Sequence, residues 1–432
     1  MTVIPGIYQL LRTAPKVRMG DRNKVRAFQN LSLQRLVNYS YNNIPYYHKM
    51  FDEHQIDPNK IRCADDLTEV PITTREVIQK LDPEDLVPRG LDLSSVIEAK
   101  TSGSSGKPVI IRRTWKEQIL LHAYLIRANR YLGLRRKDYL VGIGLVRTPH
   151  PQEKKSFGDT IRKLGIFRST RLDAGLDPNE ILAQLRMIKP DVITGYPSIL
   201  SQISSLINES DREIIRPRFL MSGAEILTPI QRNIIIKNFN APVYDLYSSV
   251  EFHNIAWECR NTGEMHISDD SVIIEVINDG QPVNTGQEGE VVGTALHSYA
   301  MPLIRYRIGD IVTRGSDCCA CGAPYSTIHK IQGRIGEYIE LPGGRIVHAA
   351  ILDQSLHDDP PDWIGQYQFV QDRIDLIILK VVPTHPPTSE LLARIIGSMS
   401  KVLGPGVKVE VSLENTIPVQ RGGKHVIFRS NI

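Results

Sequence analysis

Strand-like and helix-like segments alternate along the middle of this 432-residue chain, and this alternation limits the possible folds most. Apolar runs at residues 139–145, 191–194 and 218–225 predict strands, the last of them running into a turn. Residues 181–188 and 229–239 have helical spacing. Such alternation is typical of a mostly parallel sheet with helices on its faces. Ligands bind beyond the carboxyl ends of such strands, so the polar residues that follow them are the first site candidates.

The rest of the chain predicts two further regions. From about residue 264 to residue 333, short apolar segments separated by Gly, Asn and Asp indicate an antiparallel, β-rich subdomain. The last part, residues 334–432, has the order strand, strand, helix, strand, which predicts a small α+β domain. The predicted fold class is therefore α/β. Residues 1–333 form a large N-terminal domain with mostly parallel sheets, and residues 334–432 form a separate C-terminal domain.

The composition excludes several classes of protein. The net charge of +4 is too small to indicate a nucleic-acid partner. No apolar run approaches the roughly 18 residues that a membrane span needs. The first residues lack the basic start and apolar core of a secretory signal. Five cysteines, an odd number, in a chain of this length favour a reducing compartment, so we expect a cytoplasmic protein.

A stretch rich in hydroxyls and glycine lies between two strand candidates, residues 95–100 and 109–112. Its first six residues are Thr101, Ser102, Gly103, Ser104, Ser105 and Gly106. Glycines allow close approach of the backbone, and free N–H groups with hydroxyls suit phosphate oxygens. The spacing is not that of a P-loop, and Pro108 argues against an immediate helix. A flexible surface loop is the alternative interpretation.

Five separated motifs together resemble the adenylate-forming ligase superfamily. They are residues 101–108, 247–251, 305–310 and 333–334, and Lys424 near the C-terminus. Within the superfamily the chain is similar to the branch of phenylacetate-CoA ligases and capsule-biosynthesis ligases. That similarity is carried by residues 44–47 and 71–76, and by Glu258 and Cys259 followed later by Cys319 and Cys321. The resemblance covers nearly the whole chain.

The resemblance implies an enzyme, an acid–thiol ligase of the AMP-forming type. Such enzymes join a carboxylic acid to ATP as an acyl adenylate, release pyrophosphate and pass the acyl group to coenzyme A. A carboxylate that attacks an anionic phosphate needs positive charge and N–H donors around it. The resemblance therefore implies ATP, Mg²⁺ and coenzyme A as cofactors, with residues 334–432 acting as a mobile lid.

The resemblance also assigns roles to single residues. In the nucleotide site, residues 101–106 hold phosphates, Gly223, Ala224 and Glu225 cover the adenine, Tyr247 stacks on it beside Ser248, and Asp310 binds the ribose. The implied catalytic residues are Glu251, which holds Mg²⁺, Arg334 at the ribose or phosphate, and Lys424 at the α-phosphate and carboxylate. The candidate substrate pocket, assigned by position, consists of Gly144, Tyr196, Ser249 and Phe252.

Each role has a structural alternative. Glu251 could stabilise a helix N-terminus, Asp310 could belong to a turn, and Tyr247 could be a core residue. Arg334 could form a surface ion pair, and Lys424 could be solvated.

Three positions depart from the family pattern. Ser248 stands where glycine is usual, Val250 where a hydroxyl residue is usual, and Gly336 where the hinge aspartate is usual. These departures leave the acceptor open. An adenylate-forming ligase that delivers the acyl group to an amine or hydroxyl is one alternative. A non-catalytic, zinc-stabilised binding protein on a degenerate ligase fold is another.

Cys259, His266, Cys319 and Cys321 form a candidate metal site. Three thiolates and one imidazole suit a closed, tetrahedral, structural Zn²⁺ site. The spacing alone is weak, and the match to Cys and His positions in similar ligases strengthens it; reduced thiols without a metal are the alternative. Which carboxylic acid is used and the oligomeric state, with a homodimer among the options, are left open.

Overall fold

The computed structural model describes residues 21–100, 109–144, 168–334, 338–343, 345–349, 352, 356, 363–418 and 426–432. Its α-helices are α1 (Arg22–Asn43), α2 (Pro45–Glu53), α3 (Arg75–Lys80), α4 (Trp115–Tyr131), α5 (Pro178–Ile188), α6 (Pro197–Ser205), α7 (Glu209–Ile214), α8 (Pro229–Phe239) and α9 (Ser389–Leu403). The strands up to residue 258 are β1 (Ile97–Lys100), β2 (Ile110–Arg113), β3 (Leu140–Gly144), β4 (Ser169–Asp173), β5 (Val192–Gly195), β6 (Phe219–Gly223), β7 (Val243–Ser249) and β8 (His253–Glu258). The later strands are β9 (Met265–Ile267), β10 (Val272–Asn278), β11 (Gln281–Pro282), β12 (Glu288–Ala295), β13 (Tyr306–Arg314), β14 (Thr327–Arg334), β15 (Tyr338–Leu341), β16 (Arg345–His348), β17 (Ile364–Arg373), β18 (Leu376–Pro383), β19 (Lys408–Leu413) and β20 (Phe428–Ser430).

The chain divides into two compact units. Unit 1 contains the residues up to Gly133 together with Leu246–Gln332, and unit 2 contains Leu134–Asp245 together with Gly333–Ile432. Strand β7 therefore contributes its first residues to unit 2 and its last residues to unit 1. The domain boundary that the sequence predicts between residues 333 and 334 stays a prediction.

Unit 1 is built on antiparallel strands. Strands β1 and β2 form a hairpin in which Lys100 pairs with Ile110 and Ile97 with Arg113, as the sequence predicts for the segments that flank residues 101–108. The larger sheet of this unit has the order β11-β10-β12-β13-β14-β9-β8, and the end of β7 pairs with β8 in antiparallel fashion. This order agrees with the β-rich region predicted from residue 264.

Helix α4 connects the hairpin of unit 1 to its larger sheet. Thr114 caps the helix through a capping box with Glu117, immediately after β2 ends. The carboxylate of Glu117 also accepts a hydrogen bond from the backbone N–H of Ala300, at 2.9 Å. Helices α1 and α2 enclose a separate apolar cluster that includes Leu33, Leu36 and Phe51. The start of α4 is therefore fixed by its own cap and by a contact with a distant loop.

Unit 2 contains the parallel sheet that the strand–helix alternation predicts. Strands β4, β3, β5 and β6 are neighbours in this order, and each pair is parallel. Helices α5, α6 and α8 pack their apolar faces on these strands around residues such as Leu185, Leu200 and Ile235. The predicted α/β class is confirmed; the parallel pairs of the large sheets lie in unit 2, and the paired strands of unit 1 are antiparallel.

The C-terminal part of unit 2 has the predicted α+β character. Strands β19, β18, β17 and β20 form a four-stranded sheet in that order, and α9 packs its buried residues Ile395, Met399 and Leu403 against it. Strand β17 also contacts α6 and α8 within the same unit. Among the described residues, no helix combines the length and the apolar character needed to cross a membrane.

Candidate functional site

Glu251 lies in the tight connection between β7 and β8 of unit 1, and not at a helix N-terminus. The connection is closed by Phe252, whose backbone N–H donates to Ser249 Oγ at 3.1 Å. His253 follows with a φ of 62°, in the left-handed region that a histidine rarely adopts. Within the described part of the chain, the Glu251 carboxylate makes no hydrogen bond and no ion pair. The turn therefore presents a carboxylate that can still accept a cation.

Tyr247 and Asp310 form a buried pair in the same unit. The Tyr247 hydroxyl donates to Asp310 Oδ2 at 2.6 Å, and the two residues are 6% and 7% exposed. Asp310 belongs to strand β13, directly after Gly309 with its φ of 86°, and does not lie in a turn. A short hydrogen bond to a carboxylate restricts the orientation of both side chains. Tyr247 is thus a core residue, and it is also a hydrogen-bonding partner of Asp310, the residue predicted to bind the ribose.

Arg113, which belongs to none of the predicted motifs, contacts the Glu251 turn. Its Nη2 atom donates to the carbonyl of Glu251 at 3.0 Å and also to the carbonyl of Val250. Burial lowers the pKa of Arg113, and the nearby carboxylates of Glu117 and Glu251 act in the opposite direction. Two consecutive arginines at the end of a short apolar strand are the only signal in the sequence that could have drawn attention to it.

His253 contributes a neutral imidazole beside this arginine. Burial, together with the neighbouring His122 and Arg113, lowers the pKa of His253 to about 3. The rings of His122 and His253 meet edge to face, with their centroids 5.1 Å apart. At neutral pH the positive charge next to the Glu251 turn therefore comes from the guanidinium and not from the imidazole.

Unit 2 holds the predicted adenine-covering residues and two predicted pocket residues. Ala224 follows β6 with a φ of 68°, and the Glu225 carboxylate accepts hydrogen bonds from the backbone N–H and the hydroxyl of Ser198, both at 3.1 Å. Tyr196 is the residue before α6, and Gly144 ends β3. Glu225 therefore fixes its turn to the N-terminus of α6.

The structure leaves other predicted residues without a test. Residues 101–106 and Lys424 lie outside the described residues, and Arg334 is described only as the last residue of β14. Gly223 ends β6 and Ser248 is exposed on β7. Phe252 is 2% exposed in the core of unit 1, where its ring packs against Gly293 and Tyr306. Its role in a substrate pocket stays a prediction.

The four predicted metal ligands converge in unit 1. One ligand atom from each of Cys259, His266, Cys319 and Cys321 lies within 4.8 Å of the others, and all but Cys321 are buried. Four ligands placed about 2.3 Å from a tetrahedral centre would lie roughly 3.8 Å apart. The distance of 3.4 Å between Cys321 Sγ and His266 Nε2 is of this size. The cluster therefore fits a structural Zn²⁺ in number, type and spacing of ligands.

The protonation of the cluster is set by burial and by nearby donors. Burial acts to raise the pKa of Cys259, but hydrogen bonds from Thr262 and from the backbone of Asn261 outweigh it, and the pKa falls to about 7. Burial raises the pKa of Cys319 to about 11 and lowers that of His266 to about 4, so the imidazole is neutral. Neutral imidazole and deprotonated thiols are the forms that bind a metal, so binding would release the proton of Cys319.

Tyr131, the last residue of α4, supports the cluster from one side. Its hydroxyl lies 3.4 Å from Cys321 Sγ and 3.9 Å from Cys259 Sγ. A hydroxyl at this distance can donate to a thiolate and so stabilise the ligand form. The Tyr131 ring also meets the His266 ring edge to face, at 5.1 Å between centroids. No motif in the sequence predicts this contact, because Tyr131 lies more than 100 residues before its partners.

Comparison with known proteins gives a consistent assignment. Residues 339–431 match the family described as the CapK C-terminal domain. The chain is 25% identical to a phenylacetate-coenzyme A ligase of Thermus thermophilus, over 86% of this chain and 84% of the relative. It is 24% identical to the protein CapK of Staphylococcus aureus, over 96% of this chain and 91% of the relative. A crystal structure of a 2-hydroxyisobutyryl-CoA ligase with a bound acyl adenylate has the same fold, with a TM-score of 0.79 and 20% identity over 96% of this chain and 92% of that one.

The fold and these relatives define the class: an adenylate-forming enzyme, an acid–thiol ligase of the AMP-forming type. Within this class, the chain is similar to the branch that contains phenylacetate-CoA ligases and CapK, as its motifs indicate.

Proposed function

We propose that this chain activates a small carboxylic acid with ATP and transfers the acyl group to coenzyme A. In the first half-reaction, an oxygen of the acid attacks the α-phosphorus of ATP, the bond to the bridging oxygen breaks, and pyrophosphate leaves. In the second, the thiolate of coenzyme A attacks the acyl carbon, and AMP leaves. The acid is aryl or otherwise compact, in keeping with the relatives named phenylacetate-coenzyme A ligase.

The observation that supports this function most is the state of Glu251. Its turn is held by the hydrogen bond at Ser249 and by Arg113, while its carboxylate has no partner within the described residues. Carboxylate oxygen is the ligand that Mg²⁺ prefers, and the ion binds nucleotide phosphates through one or two such groups. Mg²⁺ bound by Glu251 would offset the phosphate charge that opposes attack by the carboxylate of the acid.

The remaining residues take the roles that the resemblance to adenylate-forming ligases implies. Asp310, oriented by Tyr247, accepts hydrogen bonds from the ribose hydroxyls. Gly223, Ala224 and Glu225 cover the adenine, and the hydroxyl-rich residues 101–106 hold the outer phosphates. Arg334 and Lys424 supply positive charge to the nucleotide and the reacting carboxylate. Zn²⁺ in the cysteine cluster is structural, because its four protein ligands leave no open position.

Release of pyrophosphate is the direct test. The protein is incubated with ATP, Mg²⁺ and a panel of aryl and short aliphatic acids, with and without coenzyme A. We expect release that depends on the acid, and a thioester when coenzyme A is present. Absence of acid-dependent release across the panel, together with absence of a thermal shift with ATP and Mg²⁺, would favour the non-catalytic binding protein instead.

A second acceptor class deserves a place in the same experiment. Val250 and Ser248 replace the usual hydroxyl residue and glycine beside Glu251. These two departures favour an adenylate-forming ligase that delivers its acyl group to an amine or hydroxyl. Amide or ester formed from an added acceptor, with no thioester from coenzyme A, would establish this alternative. For either acceptor we propose a cytoplasmic location, because the cysteines favour a reducing compartment.

A further inference from the structure

Four arginine side chains are buried among the described residues of unit 1, and one of them differs from the rest. Three are paired with a carboxylate: Arg112 with Glu98 at 2.9 Å, Arg127 with Asp270, and Arg305 with Glu275 at 2.8 Å. Arg113, 4% exposed, has no carboxylate within ion-pair distance in the ranges that the structure describes. The carboxylates of Glu117 and Glu251 act on it only without direct contact. A buried charge without a direct ion pair is unfavourable, so its retention calls for another explanation.

Arg113 instead uses its guanidinium to hold backbone carbonyls. Nη2 donates to the carbonyl oxygens of Val250 and Glu251, the two consecutive residues that set the direction of the Glu251 side chain. Hydrogen bonds from a charged donor are stronger than neutral ones, and the planar guanidinium gives them a fixed direction. The contact joins residues that are 138 positions apart in the chain.

The segments at both ends of the contact between Arg113 and the Glu251 turn are held in place by other interactions. Arg113 is followed at once by Thr114, whose capping box with Glu117 fixes the start of α4. The turn that it holds continues into His253, with its left-handed φ of 62°. A left-handed histidine is strained and persists only when its surroundings hold it in place. Loss of the guanidinium would therefore allow the turn, and with it the Glu251 carboxylate, to change direction.

We propose that Arg113 is a positioning residue, which holds the Glu251 carboxylate in the orientation that receives the metal ion of Mg²⁺–ATP. This proposal rests on the proposed function of the Glu251 site. Arg113 also ends the strand whose first residue, Ile110, lies two positions after the hydroxyl-rich stretch of residues 101–108. Strand β2 therefore begins close to the predicted phosphate-binding residues and ends at the arginine that holds the turn of the predicted metal ligand, Glu251.

The test compares Arg113→Met and Arg113→Lys with Arg112→Met. Arg112 is the matched control, because it is buried on the same strand but is paired with Glu98. Pyrophosphate release is measured against Mg²⁺ concentration at fixed ATP, and folding is followed by thermal melting. Removal of groups that orient a metal ligand typically costs about 10- to 100-fold in metal affinity or activity. We expect Arg113→Met to raise the half-saturating Mg²⁺ or lower the maximal rate by about this factor, Arg113→Lys to be intermediate, and Arg112→Met to stay within about threefold.

The outcomes separate this proposal from the proposed function. If the wild type turns over and the folded Arg113 variants respond to Mg²⁺ as it does, the positioning role is wrong and the function stands. If the wild type does not turn over any acid, calorimetric titration with Mg²⁺–ATP replaces the rate. Weaker binding by about tenfold in Arg113→Met, with Arg112→Met unchanged, would then support the positioning role alone. Equal binding of Mg²⁺–ATP by the wild type, Arg113→Met and Arg112→Met, or no binding by any of them, would overturn the positioning role.

Discussion

The cysteine cluster and the Glu251 turn lie in the same unit but leave their ligand atoms in opposite conditions. In the cluster, the four donor atoms already face one another in a mostly buried site. At the turn, the backbone is held by Ser249 and Arg113, while the Glu251 carboxylate has no partner within the described residues. Structural metal sites are closed, whereas catalytic sites keep an open position. This difference predicts that stability and turnover depend on separate regions and can be changed separately.

Substitution of Glu251 should have the largest effect and should leave stability almost unchanged. In Glu251→Gln the amide has nearly the same shape but cannot supply negative charge to Mg²⁺. We expect acid-dependent pyrophosphate release to fall by at least about 100-fold, the size seen when one preorganised electrostatic group is removed from an active site. The melting temperature should stay within a few degrees. The control is Glu288→Gln, which changes an exposed glutamate of the same unit. Turnover of Glu251→Gln within a few fold of the wild type would remove the catalytic role.

Substitution in the cysteine cluster should show the reverse pattern, with its main effect on stability and not on turnover. Cys259→Ser removes one of four ligands, and the loss of a structural metal typically lowers stability by several kcal/mol. For a chain of this size we expect the melting temperature to fall by roughly 5–10 °C, with the bound zinc reduced. Cys318→Ser is the matched control, because Cys318 is exposed and lies outside the ligand set. Equal zinc content in the Cys259 and Cys318 variants, or no zinc in the wild type, would contradict the assignment.

The sequence predicts those parts of the fold that depend on local pattern. The strand–helix alternation gives the parallel strands β3, β5 and β6, and the apolar segments on both sides of residues 101–108 give the β1–β2 hairpin. The four Cys and His residues predicted to form one cluster do converge. Their spacing alone is a weak signal, and the match to Cys and His positions in similar ligases strengthens the prediction. For the strands and the hairpin, the information lies in the spacing of residue types over one element.

Other features depend on contacts between distant segments and could not be predicted in this way. Arg113 acts on Glu251 and Tyr131 acts on Cys321 across more than 100 positions, and neither partner marks the other in the sequence. The left-handed conformations of Ala224 and His253 were also missed, because neither residue type favours positive φ as glycine does. These conformations are set by the surroundings. The supporting residues of both sites were therefore visible only in three dimensions.

A substitution in the Tyr247–Asp310 pair tests the predicted ribose-binding residue, which lies in the same unit as the Glu251 turn. Tyr247→Phe removes the hydroxyl that donates to Asp310 at 2.6 Å but keeps the ring. A hydrogen bond to a charged group is worth about 1.5–3 kcal/mol. If part of this energy orients Asp310 for the ribose, we expect KM for ATP to rise by about five- to twentyfold, with kcat changed less. Steady-state kinetics at saturating acid would measure both constants.

The control for this variant removes a hydroxyl outside the site. Tyr139 in unit 2 donates or accepts a hydrogen bond with Thr170 at 2.8 Å, so Tyr139→Phe loses a comparable contact between neutral groups. Its KM for ATP should match that of the wild type. An unchanged KM in Tyr247→Phe would show that Asp310 is oriented without the tyrosine, or that it does not bind the nucleotide.

Substitution of His253 should have the smallest effect. It tests whether this buried histidine in the Glu251 turn lowers the stability of the fold at acidic pH. Burial holds the pKa of His253 at about 3, whereas an unfolded histidine has a pKa of about 6.5. Below about pH 6.5 the unfolded chain binds a proton that the folded chain does not, so this histidine increasingly destabilises the fold as the pH falls towards 3. His253→Asn should remove this dependence, since asparagine is neutral and tolerates a left-handed backbone. We expect the stability of the variant relative to the wild type, measured by urea unfolding, to be constant from pH 8 to 7 and to improve progressively below about 6.5. A difference that stays constant down to pH 4.5 would mean that the imidazole becomes protonated in the folded protein, and the positive charge beside Glu251 would then have two sources.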